Sequence, residues 1–332
     1  MPPVFTAIGN ACTDLVAKVD EDFLVRHQIT KSICGHLKSP EELEQLKSAL
    51  GSYESFCGGA GANVAHVMSA LGHNAHFISK IGDDAEGHYF KKHAELNGVT
   101  CHFPAPCPAP LGSTIVMTLI TPDSERTFVS YDVAARTMDY HDYAPDILSK
   151  TDYLYLDGYC FCSPHTGQSF LRAATEMRRA GKYVTFNIGD ISYYETDKSD
   201  IDKLLSVCDS IMCNQMEAEI IFGHFSSIDD LVKHLSERFL FGAVTLGADG
   251  AIVFYNQKIA KISAIPIGDI ADTNGAGDHF SGGFIYGLMN GYTLDQSGKL
   301  GALCAADCLS HAGARPLSGY GSLKHLAELC KI

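Results

Sequence analysis

The stretch Asp272-Thr273-Asn274-Gly275-Ala276-Gly277-Asp278, continued by His279-Phe280-Ser281-Gly282-Gly283-Phe284, is the part of the sequence that the rest serves. Phe280, Gly283, Phe284, Gly287 and Leu288 recur at i, i+3, i+4, i+7 and i+8, one face of an α-helix, and Gly291 supplies a C-terminal stop. The first turn of a helix exposes unpaired N–H groups and carries partial positive charge. Gly275, Ala276 and Gly277 have little or no side chain, so an anion can reach those N–H groups closely. Asp278, where loop becomes helix, sets a carboxylate beside that anion site and invites a proton-transfer role. The alternative is that Asp272 and Asp278 are only turn and cap residues. A calcium loop is excluded, because Ala276 stands where Asp or Asn is needed, and the Gly-Lys-Ser/Thr ending of a Walker A loop is missing.

The rest of the 332-residue chain must supply the context that decides between these readings. Its length suits one large α/β domain or two modest ones, with ample core either way. With 46% hydrophobic and 19% charged residues it has the composition of a soluble globular protein. A net charge of −14 argues against a nucleic-acid or anionic-membrane binder. Met1-Pro2-Pro3-Val4 lacks the basic start of a secretory signal, no apolar run approaches the ~20 residues of a membrane helix, and the 12 cysteines are scattered without a Cys-x-x-Cys pair. A cytoplasmic protein with reduced thiols is the expectation. Cys304, Cys308 and His311 share a helix face, and a buried structural role suits them better than a metal site.

Taken in order, Val4–Ile8 is a buried strand ending in Gly9-Asn10, and residues 15–19 form an alternating strand after Asp14. Asn10 and Asp14 then lie at a strand end, where open α/β sheets collect ligands. A carboxylate there can accept from two neighbouring hydroxyls. Residues 41–50 form an amphipathic helix, and Phe56-Cys57-Gly58-Gly59-Ala60-Gly61-Ala62-Asn63 opens another that ends at Gly72. Gly58 and Gly59 allow the backbone itself to touch a ligand, and no third glycine completes a dinucleotide fingerprint. Residues 113–121 and 126–131 pair as a hairpin across Pro122-Asp123-Ser124; with 15–19 they stand outside the αβ rhythm and form a separate small sheet that covers a site as a lid. From Tyr153 onward strands and helices alternate regularly, with Asn214-Gln215-Met216-Glu217 at one strand end and a Thr293-Leu294-Asp295-Gln296 capping box before the last long helix. This pattern predicts a mostly parallel sheet covered on both faces. Hydroxyl-binding residues, an anion hole, a carboxylate base and a hard-oxygen cluster gathered on one sheet edge make a phosphoryl-transfer site.

With these motifs in place the chain resembles the ribokinase-like (phosphofructokinase-B) family of carbohydrate and nucleoside kinases over nearly its whole length. Asp272–Asp278 matches the family's Asp-Thr-x-Gly-Ala-Gly-Asp signature, Gly58, Gly59 and Asn63 its Gly-Gly-x-x-x-Asn element, and Asn214 and Glu217 its Asn-x-x-Glu element. Thr245-Leu246-Gly247-Ala248-Asp249-Gly250 resembles the ATP-side strand and turn, and Gly313-Ala314-Arg315-Pro316 the close of the nucleotide pocket. Ile8-Gly9-Asn10-Ala11-Cys12-Thr13-Asp14 is more similar to the adenosine-kinase branch, in its bacterial members, than to a hexose phosphate kinase. The resemblance implies a three-layer sandwich with a small β-sheet lid: a single domain over 1–332 with lid segments at about 14–38 and 108–135.

It also implies ATP as donor, Asp278 as base toward a primary hydroxyl, and Gly275, Ala276 and Gly277 as the anion hole. Arg126 would come from the lid toward the phosphates. Asn10, Asp14, Gly58, Gly59, Asn63 and Tyr159 would hold the acceptor, with Phe161 and residues 192–200 as further base-side candidates. Thr245, Gly247, Gly250 and His311 would border the nucleotide. Asn214 and Glu217 would hold Mg²⁺, mostly through water, and Asp272 marks where many relatives bind K⁺. The expected acceptor is a ribonucleoside, adenosine first; a free furanose such as ribose or fructose, or an inactive nucleoside-binding regulator, are the alternatives. Monomer and lid-mediated homodimer both remain open.

Overall fold

Strands buried on both faces need apolar residues of both parities, and here the two parities feed two separate cores. In the computed structural model, which describes residues 3–330 except 108–110, 124, 144, 162–163, 190–193 and 316–322, Leu154, Leu156, Ile211, Val244, Ile252 and Phe254 point to one side of the central sheet. Phe5, Ala7, Tyr155, Met212, Ala243 and Val253 point to the other. The first core is closed by helices Pro164–Arg179, Tyr194–Val207, Gln215–Phe222 and Ile228–Arg238. The second is closed by Ala60–Leu71, Ala85–Leu96, Ala276–Met289 and Leu294–Leu309.

The central sheet has nine strands, in spatial order Lys258–Ile262, Ala251–Tyr255, Phe241–Thr245, Ser210–Asn214, Tyr183–Asn187, Tyr153–Asp157, Val4–Ile8, Asn74–Ile78 and Thr100–His102. All neighbours are parallel except the two pairings that involve Ala251–Tyr255. Because the parallel strands share one direction, their carboxyl ends deliver Asn10, Asp157, Asn187, Asn214 and Thr245 to the same edge.

The small sheet has five strands, ordered Gly35–His36, Arg126–Tyr131, Thr114–Ile120, Cys12–Lys18 and Glu54–Gly58. Its outer face packs Leu15, Ile115, Met117, Leu119 and Val129 against Phe23, Leu24, Leu43 and Leu46 of helices Glu21–Arg26 and Pro40–Leu50. The period of two sends the alternate residues Asp14, Val116, Thr118 and Phe128 inward, to the cavity described below. Two expectations change here. Asp14 is the third residue of a strand rather than the turn before one, and Phe56-Cys57-Gly58 belongs to a strand, Glu54–Gly58, that precedes the helix.

Helix Ala276–Met289 begins at Gly275, whose φ of 79° is left-handed, and its cap makes no side-chain hydrogen bond. Gly282 and Gly283 let it press against two neighbours: a Cβ at Gly282 would lie 2.7 Å from Val67 Cβ, and one at Gly283 would lie 2.8 Å from the Leu300 carbonyl oxygen. The capping box at Thr293 is present, opening Leu294–Leu309. Among the described residues no helix is long and apolar enough to cross a membrane, and no group of three or more His, Cys, Asp or Glu could hold a metal ion.

Candidate active site

A cavity of about 480 Å³ lies between the carboxyl edge of the central sheet and the inner face of the small one. It is lined by Asn10, Asp14, Gly58, Gly59, Asn63 and Tyr159 on one side. Asn214, Glu217, Thr245 and the Gly275-Ala276-Gly277-Asp278 turn line the rest. The motifs quoted from the sequence, separated by up to 268 positions between Asn10 and Asp278, therefore share one chamber.

Asp278 is fixed by Asn63, whose Nδ2 donates to Asp278 Oδ2 at 2.8 Å. Burial raises the Asp278 carboxyl to about 7, the Asn63 hydrogen bond opposes this, and Asp157 and Glu217 add to the rise. A carboxylate held near neutrality and aimed into a cavity has the properties of a general base. The N-terminal N–H groups of Ala276–Met289 are left without a capping side chain beside it. Gly277 leaves open space where a Cβ would stand, whereas one at Gly275 would meet Ala314 Cβ at 2.8 Å and Asn63 Nδ2 at 3.2 Å.

On the acceptor side, Asp14 lies against Gly58, where a Cβ would be 2.4 Å from Asp14 Oδ2, so only glycine fits. The Cys12 thiol donates to Asp14 Oδ1 at 3.2 Å. Burial lifts Asp14 to about 6, against the lowering effect of Cys12 and Arg315. Asn10 Oδ1 and Asn63 Oδ1 are buried without a hydrogen-bond partner among the described residues. Orphaned acceptors in a cavity are costly unless a ligand supplies donors, and hydroxyl groups do.

Asp157 is a residue the sequence reading passed over. Fully buried at the end of strand Tyr153–Asp157, it accepts from the N–H groups of Gly61 at 3.0 Å, Tyr159 at 3.0 Å and Asn10 at 3.4 Å. It therefore ties three acceptor-side segments together. Asn187 also lines the cavity from the next strand end. The available signal was a polar residue closing an otherwise apolar strand, the same one that marked Asn214. Tyr159 stands half exposed with its ring packed on Gly189, and Phe161 is buried in the core. Residues 192 and 193 of the expected base-side segment lie outside the described residues, as does Pro316.

Asn214 and Glu217 form a closed capping box: Asn214 N–H donates to Glu217 Oε2 at 2.9 Å, Asn214 Nδ2 to Oε1 at 2.7 Å, and Glu217 N–H to Asn214 Oδ1 at 2.8 Å. Burial raises Glu217 to about 7, against the lowering effect of the Asn214 backbone hydrogen bond. Glu217 Oε1 and Oε2 and Asn214 Oδ1 all accept within this box, so the pair fits Mg²⁺ as a hydrated ion held through its waters.

The remaining candidates stand around the cavity rather than on its wall. Arg126 reaches from the small sheet to the anion loop, with Nη1 2.9 Å from both Asp272 Oδ1 and Thr273 Oγ1. Asp272 also accepts from the N–H groups of Asn274 and Gly313, each at 3.0 Å. Its oxygens are thus engaged by protein donors, and a K⁺ ion there would have to displace the guanidinium. Gly247 and Gly250 bracket the turn between strands Phe241–Thr245 and Ala251–Tyr255; Gly250, at φ 92°, would place a Cβ 2.1 Å from the Ile262 carbonyl oxygen, so its role is that of the turn. Both ring nitrogens of His311 are buried without a hydrogen-bond partner among the described residues.

With this geometry in view, comparison with known proteins adds the lineage. Residues 29–318 match the family model for pfkB family carbohydrate kinases. The chain is 27% identical over 291 residues to an ATP-dependent 6-phosphofructokinase from Thermoanaerobacterium thermosaccharolyticum, covering 85% of this chain and 88% of that one. A solved structure of a probable sugar kinase from Rhizobium etli superposes with a TM-score of 0.87 at 26% identity, covering 99% of this chain and 98% of that one. Adenosine kinase from Sinorhizobium meliloti gives a TM-score of 0.86 at 26% identity, with 99% of each chain covered.

Proposed function

This chain belongs to the pfkB family of carbohydrate kinases and is a phosphotransferase with an alcohol acceptor; from that premise we propose that it transfers the γ-phosphate of ATP to the 5′-hydroxyl of a ribonucleoside, adenosine first. The observation that carries this reading is the charge of the chamber. Its described lining contains Asp14, Asp157, Glu217 and Asp278 and neither lysine nor arginine. The acceptor side holds Asp14 and Asp157 and no lysine or arginine, so the phosphate of a phosphorylated sugar would find no cationic partner there. An uncharged polyol is not repelled, and Asp14 with the free Asn10 and Asn63 oxygens supplies acceptors for adjacent hydroxyls. Phe128 from the small sheet and the half-exposed Tyr159 add aromatic surface suited to a nucleobase.

In this reading Asp278 takes the proton of the attacking hydroxyl while Asn63 holds it in place. The N–H groups at Gly275–Gly277 stabilise the transferring phosphoryl group in an environment shielded from water. Arg126 leaves Asp272 for the phosphates. Asn214 and Glu217 would hold Mg²⁺, mostly through water, and the ion would neutralise donor phosphate charge; His311 borders the nucleotide.

The test is an ADP-release assay over nucleosides, free sugars and sugar phosphates, with and without K⁺. Adenosine should be turned over with a kcat/KM well above that of ribose or fructose, and fructose 6-phosphate should be inert. Preference for a free furanose with no gain from a purine would replace the nucleoside by a sugar. Nucleoside binding without ADP release would mark a binding protein on a kinase scaffold, which the intact Asp278, Gly275, Gly277, Asn214 and Glu217 argue against.

A further inference from the structure

Arg315 is 5% exposed; among the described residues no carboxylate touches it, and its charge reaches Asp14 and Asp278 only at longer range. A buried guanidinium with no carboxylate in contact is costly and persists only where its donors are well used. Here Nε donates to the Cys57 carbonyl oxygen at 3.0 Å and Nη2 to the Gly58 carbonyl oxygen at 2.8 Å. Nη1 lies 2.8 and 3.2 Å from the two ring nitrogens of His66, and the guanidinium carbon is 5.2 Å above the Phe90 ring. Burial, then the arginine itself, hold His66 well below its usual range, so it stands there as a neutral partner.

The two carbonyls belong to the turn that faces the acceptor. Gly59 has φ 93°, with space for a Cβ blocked by the Asn10 carbonyl oxygen at 2.0 Å, and Gly58 is pressed against Asp14. The residues just before Arg315 hold the donor side: Ala314 packs on Gly275, and Gly313 N–H donates to Asp272. Three consecutive residues thus touch the loop before the anion hole, the anion hole and the acceptor turn. We propose that Arg315 is a positioning residue: its planar fork fixes the Cys57–Gly58 carbonyls from behind and sets the acceptor turn in register with the phosphate loop. Only the kinetic part of this rests on the kinase reading above.

The test compares Arg315→Met, which keeps apolar bulk, with Arg315→Lys, which keeps charge but loses the fork. In the full chain Arg315→Met should raise the acceptor KM about tenfold, the scale of a lost charge-assisted contact, while the KM for ATP stays within about threefold. Arg315→Lys should fall between. Amide hydrogen exchange in residues 54–63 should quicken about tenfold in Arg315→Met, with strand Asn74–Ile78 unchanged as internal control. An acceptor KM and exchange pattern both equal to wild type would overturn the proposal. So would exchange that quickens equally in the control strand, since that marks general loosening. If wild type turns over no acceptor, the kinase reading fails, and the exchange comparison still decides the role of Arg315. Should Arg315→Met not fold, the lysine variant decides on the same readouts.

Discussion

Asp278 shows how burial sets the charge of a single side chain at a cost to the fold. Its carboxyl, raised to about 7 by burial with Asp157 and Glu217 nearby, is half protonated near neutrality in the free protein. If it is the base, Asp278→Asn should lower kcat by ~10²–10⁴-fold with little change in KM, measured by steady-state kinetics. Wild-type kcat/KM should fall as pH drops through about 7, the side on which the base is lost. Stability runs the other way. The folded-state carboxyl is raised above its unfolded value of about 4, so between pH 4 and 7 the folded protein binds more protons than the unfolded chain. Its stability therefore declines as pH rises through that window. Asn cannot ionise, so the ligand-free Asp278→Asn protein should gain Tm over wild type, and gain more at pH 8 than at pH 6. An unchanged difference across that range would mean Asp278 is not held near neutrality. The identity of this residue was legible in the sequence because a complete motif surrounded it. Asp157 carries only the weaker signal of a polar residue closing an apolar strand, with no motif around it, and its three backbone partners come from segments as distant as Asn10 and Gly61.

At the scale of elements, the long helices were legible, whereas helices Glu21–Arg26 and Gln215–Phe222 and the edge strands were not. Ala60–Leu71, Ala276–Met289 and Leu294–Leu309 announce themselves by apolar period and by the glycine or capping box at their ends. Lys258–Ile262 is an edge strand with mostly exposed side chains, so no burial pattern marks it. Glu54–Gly58 ends in Gly58 and runs straight into Gly59, which disguises it as a loop. The same helix separates two uses of glycine. At Gly283 a methyl would meet Leu300 O at 2.8 Å and Gly301 Cα at 2.9 Å, both backbone atoms that cannot swing away. Gly283→Ala should thus destabilise by about 1–3 kcal/mol in a urea melt, with kinetics of the surviving folded fraction near wild type. At Gly277 a methyl would meet nothing within 4 Å and would project where the cavity is lined. Gly277→Ala should keep or slightly raise Tm, as helix propensity favours alanine, yet lose kcat/KM for ATP. Equal effects of the two substitutions on stability would refute the division.

For the whole molecule, the issue is how the small sheet is held over the chamber. Its outward core of Leu15, Ile115, Met117 and Val129 is self-contained; the unit is joined to the rest where Lys47 pairs with Glu86, Tyr89 donates to the Ser55 carbonyl oxygen and Asp84 accepts from Ser113, and contacts across the cavity add to these. Arg126 makes one of them: it leaves strand Arg126–Tyr131 and reaches Asp272 and Thr273 in the loop that leads to the anion hole. Asp272 accepts from the Asn274 and Gly313 N–H groups at the same time, so the arginine docks on an acceptor already fixed in place. Part-buried pairs of this kind couple measurably, whereas exposed ones rarely do. A double-mutant cycle of Arg126→Met and Asp272→Asn, read by urea unfolding of the free protein, should give a coupling of about 0.5–2 kcal/mol. If Arg126 serves the phosphates during transfer, saturating non-hydrolysable ATP with Mg²⁺ should draw it off Asp272. The coupling should then shrink toward zero, while Arg126→Met alone should weaken kcat/KM for ATP about 10²-fold, comparable to the loss of one transition-state donor. A coupling that persists undiminished with the nucleotide bound would leave Arg126 on Asp272 throughout. The residue would then be a fastener of the two sheets, and charge on the transferring phosphoryl group would be met by backbone N–H groups and the metal alone.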